Sequence, residues 1–125
     1  MAILTIGHIG NYAVKVCAAL EEEGFDVAHY DMRFAKPLDE EMLHQIFQKF
    51  DKVITVEDGC LMGGFGSAVL EFAADHDYHA SIRRLGIPDK IIEHGEQIEL
   101  HRECSFDPEG IARAARKMLE IGVKV

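Results

Sequence analysis

The sequence predicts an α/β domain of three layers, α/β/α, on a mainly parallel sheet of about five strands. Short apolar runs rich in Val and Ile alternate with stretches whose apolar residues recur every three or four positions, so strand and helix periods take turns along the chain. Glycines or acids close the short runs, and capping residues stand where the period changes. A length of 125 residues makes this one domain, 1–125, without internal repeat or linker. Hydrophobic residues at 48% suffice to fill one core at this length, where folding removes roughly two thirds of the unfolded surface from water.

Ala2-Ile3-Leu4-Thr5-Ile6 is the first strand and ends at Gly7. A helix follows from about Asn11 to Glu23, closed by Gly24, the residue best suited to the left-handed position after a helix. Asp26-Val27-Ala28-His29-Tyr30 is the second strand, ending at Asp31. Leu43, Ile46, Phe47 and Phe50 then fall at i, i+3, i+4 and i+7, one apolar stripe of a helix. Asp39 is its N-cap, and Glu40 and Glu41 sit favourably in its positive first turn. Lys52-Val53-Ile54-Thr55-Val56 is the third strand, ending at Glu57; a helix opening at Gly64-Phe65-Gly66 runs to about Asp75. Ala80-Ser81-Ile82-Arg83-Arg84-Leu85 is the fourth strand, ending at Gly86. Ile98 to Glu103 adds a short helical turn, and Asp107-Pro108 caps a last helix whose stripe is Ile111, Ala114, Ala115, Met118 and Leu119. The first and third strands are apolar on both faces and therefore central; the second and fourth carry polar residues on one face and lie nearer an edge.

A formal net charge of -9 repels nucleic acid and anionic membranes unless the cations cluster, and along the sequence only Arg83 and Arg84 are adjacent. No nucleic-acid or membrane partner is expected. No apolar stretch reaches the ~20 residues of a membrane span, and the N-terminus lacks a signal peptide's basic and apolar regions. Cys17, Cys60 and Cys104 are odd in number, widely spaced and without a CxxC pair, which fits a reducing cytoplasm rather than a disulfide framework or zinc knuckle. Met1 stands directly against a buried strand, the abrupt start expected of a domain cut from a longer protein.

Ligands of an open α/β sheet sit beyond the carboxyl ends of its strands. Glu57 ends a central strand, where a carboxylate must have partners; it is either a general acid/base or a carboxylate held by loop amides or by Arg33. Arg33 and Lys36 offer positive charge on the same edge, with Asp31, Asp39 and Glu57 near enough to neutralise them. Gly63, Gly64, Gly66 and Ser67 open a helix after a strand, either to bind phosphate on backbone N–H groups or to allow close packing. Packing is favoured: the loop lacks the Lys of a Walker phosphate loop and the third Gly of a dinucleotide fingerprint, and Glu57 and Asp58 repel an anion. Gly64 is then expected at positive φ or at a close backbone approach, and the Ser67 hydroxyl to cap or line the helix start. His76-x-x-His79 matches no zinc motif, Cys60 follows two acids that disfavour its thiolate, and His8 and His94 lie at loop junctions.

Four segments in order carry a resemblance: Asp31-Met32-Arg33-Phe34-Ala35-Lys36-Pro37-Leu38-Asp39, Val53-Ile54-Thr55-Val56-Glu57-Asp58, Met62-Gly63-Gly64-Phe65-Gly66-Ser67-Ala68-Val69, and Leu85-Gly86-Ile87-Pro88-Asp89-Lys90-Ile91-Ile92-Glu93-His94-Gly95. They resemble the C-terminal domain of the transketolase superfamily, most closely its 1-deoxy-D-xylulose-5-phosphate synthase branch, from Ala2 to the last helix. Asp58 stands where that pattern usually has a second Glu. The resemblance implies a cytoplasmic transferase that condenses pyruvate with glyceraldehyde 3-phosphate in isoprenoid precursor biosynthesis and, through the same product, feeds thiamine biosynthesis. Its thiamine diphosphate and magnesium are held by the N-terminal and central domains. The C-terminal domain then carries no catalytic, cofactor or metal residue. It packs on those two domains and supports a homodimer, with Arg33, Lys36, Glu57, Gly63, Gly64, Gly66, Ser67, Pro88, Asp89 and His94 as interface or loop candidates and Phe34, Leu61, Met62 and Phe65 as a covered apolar patch. Three alternatives stand beside it: an enzyme using Glu57, Arg33 and His94; a small-ligand regulatory module with an anion at Gly63 to Gly66; and the equivalent domain of a transketolase or 2-oxo acid dehydrogenase beta-type subunit.

Overall fold

The central strands are the most apolar parts of the chain. Ala2, Ile3 and Leu4 of β1 (Ala2–Thr5) and Val53, Ile54 and Val56 of β3 (Lys52–Cys60) are fully buried, as strands covered on both faces must be. The computed structural model describes residues 1–32, 39–60, 64–87 and 107–121. β2 (Ala28–Asp31) pairs with β1 from Ala2↔Ala28 to Thr5↔Asp31, and β3 lies on the other side of β1 from Ala2↔Val53 to Thr5↔Val56. β4 (Ser81–Ile87) joins β3 from Lys52↔Ser81, so the order is β2-β1-β3-β4 and every ladder is parallel. The expected count of about five strands is corrected to four among the described residues: each strand is one of the four apolar runs, and the other described segments are helices, turns and connecting loops.

A strand's side chains alternate between faces, and here each face has its own helix pair. Ile3, Ile54 and Val56 pack with Ala13, Val16 and Leu20 of α1 (Gly10–Glu22) and with Ile111, Ala115 and Met118 of α4 (Pro108–Ile121). Ala2, Leu4 and Val53 pack with Leu43, Ile46 and Phe47 of α2 (Glu40–Lys49) and with Phe65, Val69 and Phe72 of α3 (Phe65–Asp75). The three layers read from the periodicity are present. Truncating one of these fully buried side chains, Leu20 or Leu43 for example, removes about 2–5 kcal/mol of stability.

Local chemistry sets the helix ends. Gly7 at φ +77 turns the chain out of β1 into a short 3-10 turn, Gly7–Ile9, that leads into α1. α1 stops where Gly24 takes φ +93: its N–H donates to the Glu21 carbonyl at 3.0 Å, and the Phe25 N–H donates to Leu20 at 3.0 Å. Asp77, at φ 59, closes α3 in the same way, with the Tyr78 N–H on the Ala73 carbonyl at 2.9 Å. Asp39 accepts from the Met42 N–H at 3.0 Å and Asp107 from the Gly110 N–H at 3.0 Å, both caps as expected. The Ile98 to Glu103 turn lies outside the described residues.

β3 extends past the expected stop at Val56 because β4 continues beside it, and their register shifts between Val56 and Cys60. Glu57 and Gly59, poor strand formers, fall within that irregularity, and pairing resumes at Cys60↔Ile87. On the far side of the sheet Thr5 Oγ1 and His29 Nε2 lie 2.7 Å apart, with Gly10 packed close above them. Burial pushes the His29 imidazole below its ordinary value of 6.5, while Asp31 pulls it back up. The unfolded chain therefore takes up this proton first: the His29 contribution is complete above about pH 6.5 and is lost as pH falls through the interval beneath it. The melting temperature of the wild-type chain should drop more between neutral pH and pH ~5 than that of His29→Gln. Equal slopes by circular dichroism would remove His29 from the acid sensitivity.

Candidate functional site

β1 and β3 are neighbours whose following helices leave on opposite faces, α1 on one and α3 on the other. That divergence opens a crevice at the carboxyl ends of the two strands, the usual ligand position in such sheets. Glu57 is 5% exposed and leaves β3 where the β3–β4 register shifts, an irregularity of the kind that re-aims a side chain. Its Oε2 accepts from the Phe65 N–H at 2.8 Å and its Oε1 from the Gly66 N–H at 2.9 Å.

Those two N–H groups are the first of α3, unsatisfied within the helix and carrying the positive end of its dipole. The N-cap residue, Gly64, has no side chain to bond them. Glu57 thus caps α3 from the neighbouring strand with a two-pronged, charge-assisted grip. The phosphate-binding alternative at Gly63 to Gly66 needs the same amides and would bring an anion against a buried carboxylate. The geometry supports packing, and of the two partners weighed for Glu57 the amides are in place, while Arg33 lies outside the described residues.

The helix start places a steric demand on a glycine two residues after Gly64. Gly64 has φ -88 and ψ -165, ordinary extended backbone for an N-cap, so the expectation of positive φ there is corrected. Gly66 is the position without room: a Cβ there would lie 2.7 Å from Thr55 Oγ1 and 3.0 Å from Cγ of Arg84. Thr55 and Arg84 are paired across β3 and β4 and so face α3 together. Arg84 Nη1 donates to Ser67 Oγ at 2.9 Å. Ser67, at the helix start it was expected to cap or line, is thereby tied to β4.

Phe65 is 1% exposed, which removes it from the proposed apolar patch; it is the first residue of α3, and its side chain goes into the α2–α3 face of the core. Arg33, Phe34, Lys36, Leu61, Met62, Gly63, Pro88, Asp89 and His94 lie outside the described residues. His76 packs its ring against Phe72 and against His44, whose Nδ1 lies 2.7 Å from the Tyr78 hydroxyl.

The fold has known counterparts. Residues 1–111 match the family described as transketolase, C-terminal domain. The chain belongs to that family. Among curated proteins it is 64% identical over 124 residues to the 1-deoxy-D-xylulose-5-phosphate synthase of Cytophaga hutchinsonii, covering 99% of this chain and 20% of that protein. It is 54% identical over 119 residues to the synthase of the same name from Porphyromonas gingivalis, covering 95% of this chain and 19% of that protein. The chain thus spans about a fifth of the length of these relatives. A solved structure of a split-gene transketolase, described as an inactive beta4 tetramer, superposes with a TM-score of 0.85 at 26% identity, covering 93% of this chain and 38% of the other.

Within this transketolase C-terminal domain, the reading from sequence singled out Glu57, Gly66 and Ser67 but missed Thr55 and Arg84. The signal for both was the strand alternation. Thr55 and Glu57 share a face of β3, and Arg84 stands one residue before Leu85 on the edge strand that flanks it.

Replacing Glu57 with Gln puts an NH2 group against one of the two amides, and stability should fall by about 2–3 kcal/mol in urea unfolding, the worth of a hydrogen bond to a charged group plus an orphaned donor. Little change would mean that solvent readily replaces the carboxylate. Gly66→Ala should destabilise by roughly 1–3 kcal/mol despite alanine's better helix propensity, and Thr55→Ala, by removing the clashing hydroxyl, should recover part of that loss in a double-mutant cycle. Strict additivity of the two changes would place the crowding elsewhere.

Proposed function

We propose that this chain is the C-terminal domain of a 1-deoxy-D-xylulose-5-phosphate synthase, structural and dimer-supporting, and that the chemistry is carried by the rest of a longer protein. The single observation that supports this most is the 64% identity over 124 residues to the Cytophaga hutchinsonii synthase. The whole enzyme condenses pyruvate with glyceraldehyde 3-phosphate, releasing carbon dioxide, with thiamine diphosphate and magnesium bound in its N-terminal and central domains. A cytoplasmic homodimer completes the reading. No helix among the described residues is long and apolar enough to cross a membrane.

The geometry at the strand ends agrees with a supporting role. A diphosphate would need free amides at a helix start or a cation to meet it, and the amides of α3 are held by Glu57 with both carboxylate oxygens engaged. The described residues of this crevice do not fit thiamine diphosphate, and no step of the reaction is assigned to them. The same engagement weighs against Glu57 as a general base of an independent enzyme, because such a base must reach its substrate's proton.

A chimera tests the proposal. The C-terminal fifth of the Cytophaga hutchinsonii synthase is replaced by this chain, and turnover should stay within about tenfold of the parent, a change of roughly 1.4 kcal/mol in barrier at most. A chimera that folds, dimerises and lacks activity would sink the assignment and favour a transketolase or dehydrogenase subunit as the source. Calorimetric titration of the 125-residue chain with thiamine diphosphate and magnesium should show no binding; affinity in about the micromolar range would place cofactor residues in this domain after all.

A further inference from the structure

The cations are dispersed along the sequence, yet folding gathers three of them. Arg83 and Leu85 share a face of β4, the face that also carries Ile54 and Val56 of β3 and lies under α1 and α4. Gly110, Arg113, Ala114 and Lys117 follow one another at i, i+3, i+4 and i+7 and form one stripe along α4. Strand and stripe enclose a cleft of about 270 Å³ between β4 and α4. Its floor is Leu85, Ala114 and the backbone at Gly110, and its rim is Arg83, Arg113 and Lys117.

Three like charges around one small cleft oppose one another unless something of opposite sign sits between them. The chain carries 22 acidic residues against 13 Lys and Arg, so neutralising partners are plentiful, and elsewhere they are used. Arg116, on the next strip of α4, makes a two-pronged pair with Glu23 at 3.1 and 2.8 Å. Arg83, Arg113 and Lys117 form no ion pair with a described residue. The nearest carboxylates on the helix, Glu109 and Glu120, are exposed, and Glu109 lines the separate groove between α1 and α4 with Lys15 and Arg116.

We propose that the β4–α4 cleft is a binding site for a small phosphate-bearing anion. Two planar guanidinium forks and one ammonium supply the donors that match phosphate oxygens, and the guanidinium fork does so bidentately. The volume lies just below the ~300 Å³ at which pockets for whole metabolites begin, so it takes a phosphate or diphosphate group with little else attached. Leu85 and Ala114 give an apolar seat to any short carbon stem. The site lies on the α1–α4 face, whereas the Glu57 crevice opens onto α3, so it stands apart from the proposed synthase chemistry.

The test is an amide-resolved NMR titration of the 125-residue chain with inorganic pyrophosphate, ionic strength being held constant with KCl. Saturable shifts should appear at residues 83–85 and 110–117 with a dissociation constant of about 1 mM or tighter. Arg113→Gln combined with Lys117→Gln should weaken binding by roughly tenfold or more. Arg116→Gln, on the neighbouring groove, should leave it unchanged. Glycerol 3-phosphate binding more tightly than pyrophosphate would identify an organic phosphate seated on Leu85, and the reverse order an inorganic one. Unsaturable shifts, a response that KCl alone reproduces, an unaltered dissociation constant in the double variant, or tighter binding of a polyglutamate peptide than of either phosphate would each overturn the proposal.

Discussion

The carboxylate of Glu57 holds together two elements that otherwise have no reason to meet at a fixed angle. A helix beginning inside a protein exposes amides that water cannot reach, and each left bare is costly. Glu57 satisfies the first two of α3 from the end of β3, and in doing so sets where α3 starts and how it lies on the sheet. Phe65, Val69 and Phe72 then fall onto the face that carries Leu4 and Val53, where they meet Leu43 and Phe47 of α2. The close approach also explains Gly66, since the helix sits directly on Thr55 and the stem of Arg84. The Arg84–Ser67 bond ties the same helix start to the edge strand. One buried ionisable group, three strands' worth of neighbours and one glycine thus act as a unit.

The same contact decides what the crevice is able to do. Doubly wound sheets present ligands at the point where their helices diverge, and here the start of α3 beside that point is taken by Glu57. An anion-binding helix start is converted into a structural joint by an acid already in place. Free cationic character appears instead on the opposite layer, where β4 and α4 leave three positive side chains around a small cleft.

Much of the fold was legible in the residue order. Caps and stops at Asp39, Asp107 and Gly24 act within a few bonds of their own helix, so their chemistry is written locally and the structure places them as expected. The two helix stripes and the central position of β1 and β3 follow from periodicity and apolar content, which burial only ratifies. The extent of β3 was not legible, because pairing with β4 resumes at Cys60↔Ile87 only after an irregularity that local residue types do not announce.

At the strand ends the division is sharper. The sequence alone determined that Glu57 belongs to the carboxyl-terminal part of a central strand's segment, that a buried carboxylate there must be bonded, and that the glycine loop lacks the residues of a phosphate site, because burial and loop chemistry follow from residue type and local order. Tertiary structure decided which amides take the carboxylate, that Gly66 has no space for a side chain, and that Arg83, Arg113 and Lys117 share a cleft. Those facts depend on distances between residues 8 to 34 positions apart, and such distances exist only once a sheet has brought the segments together.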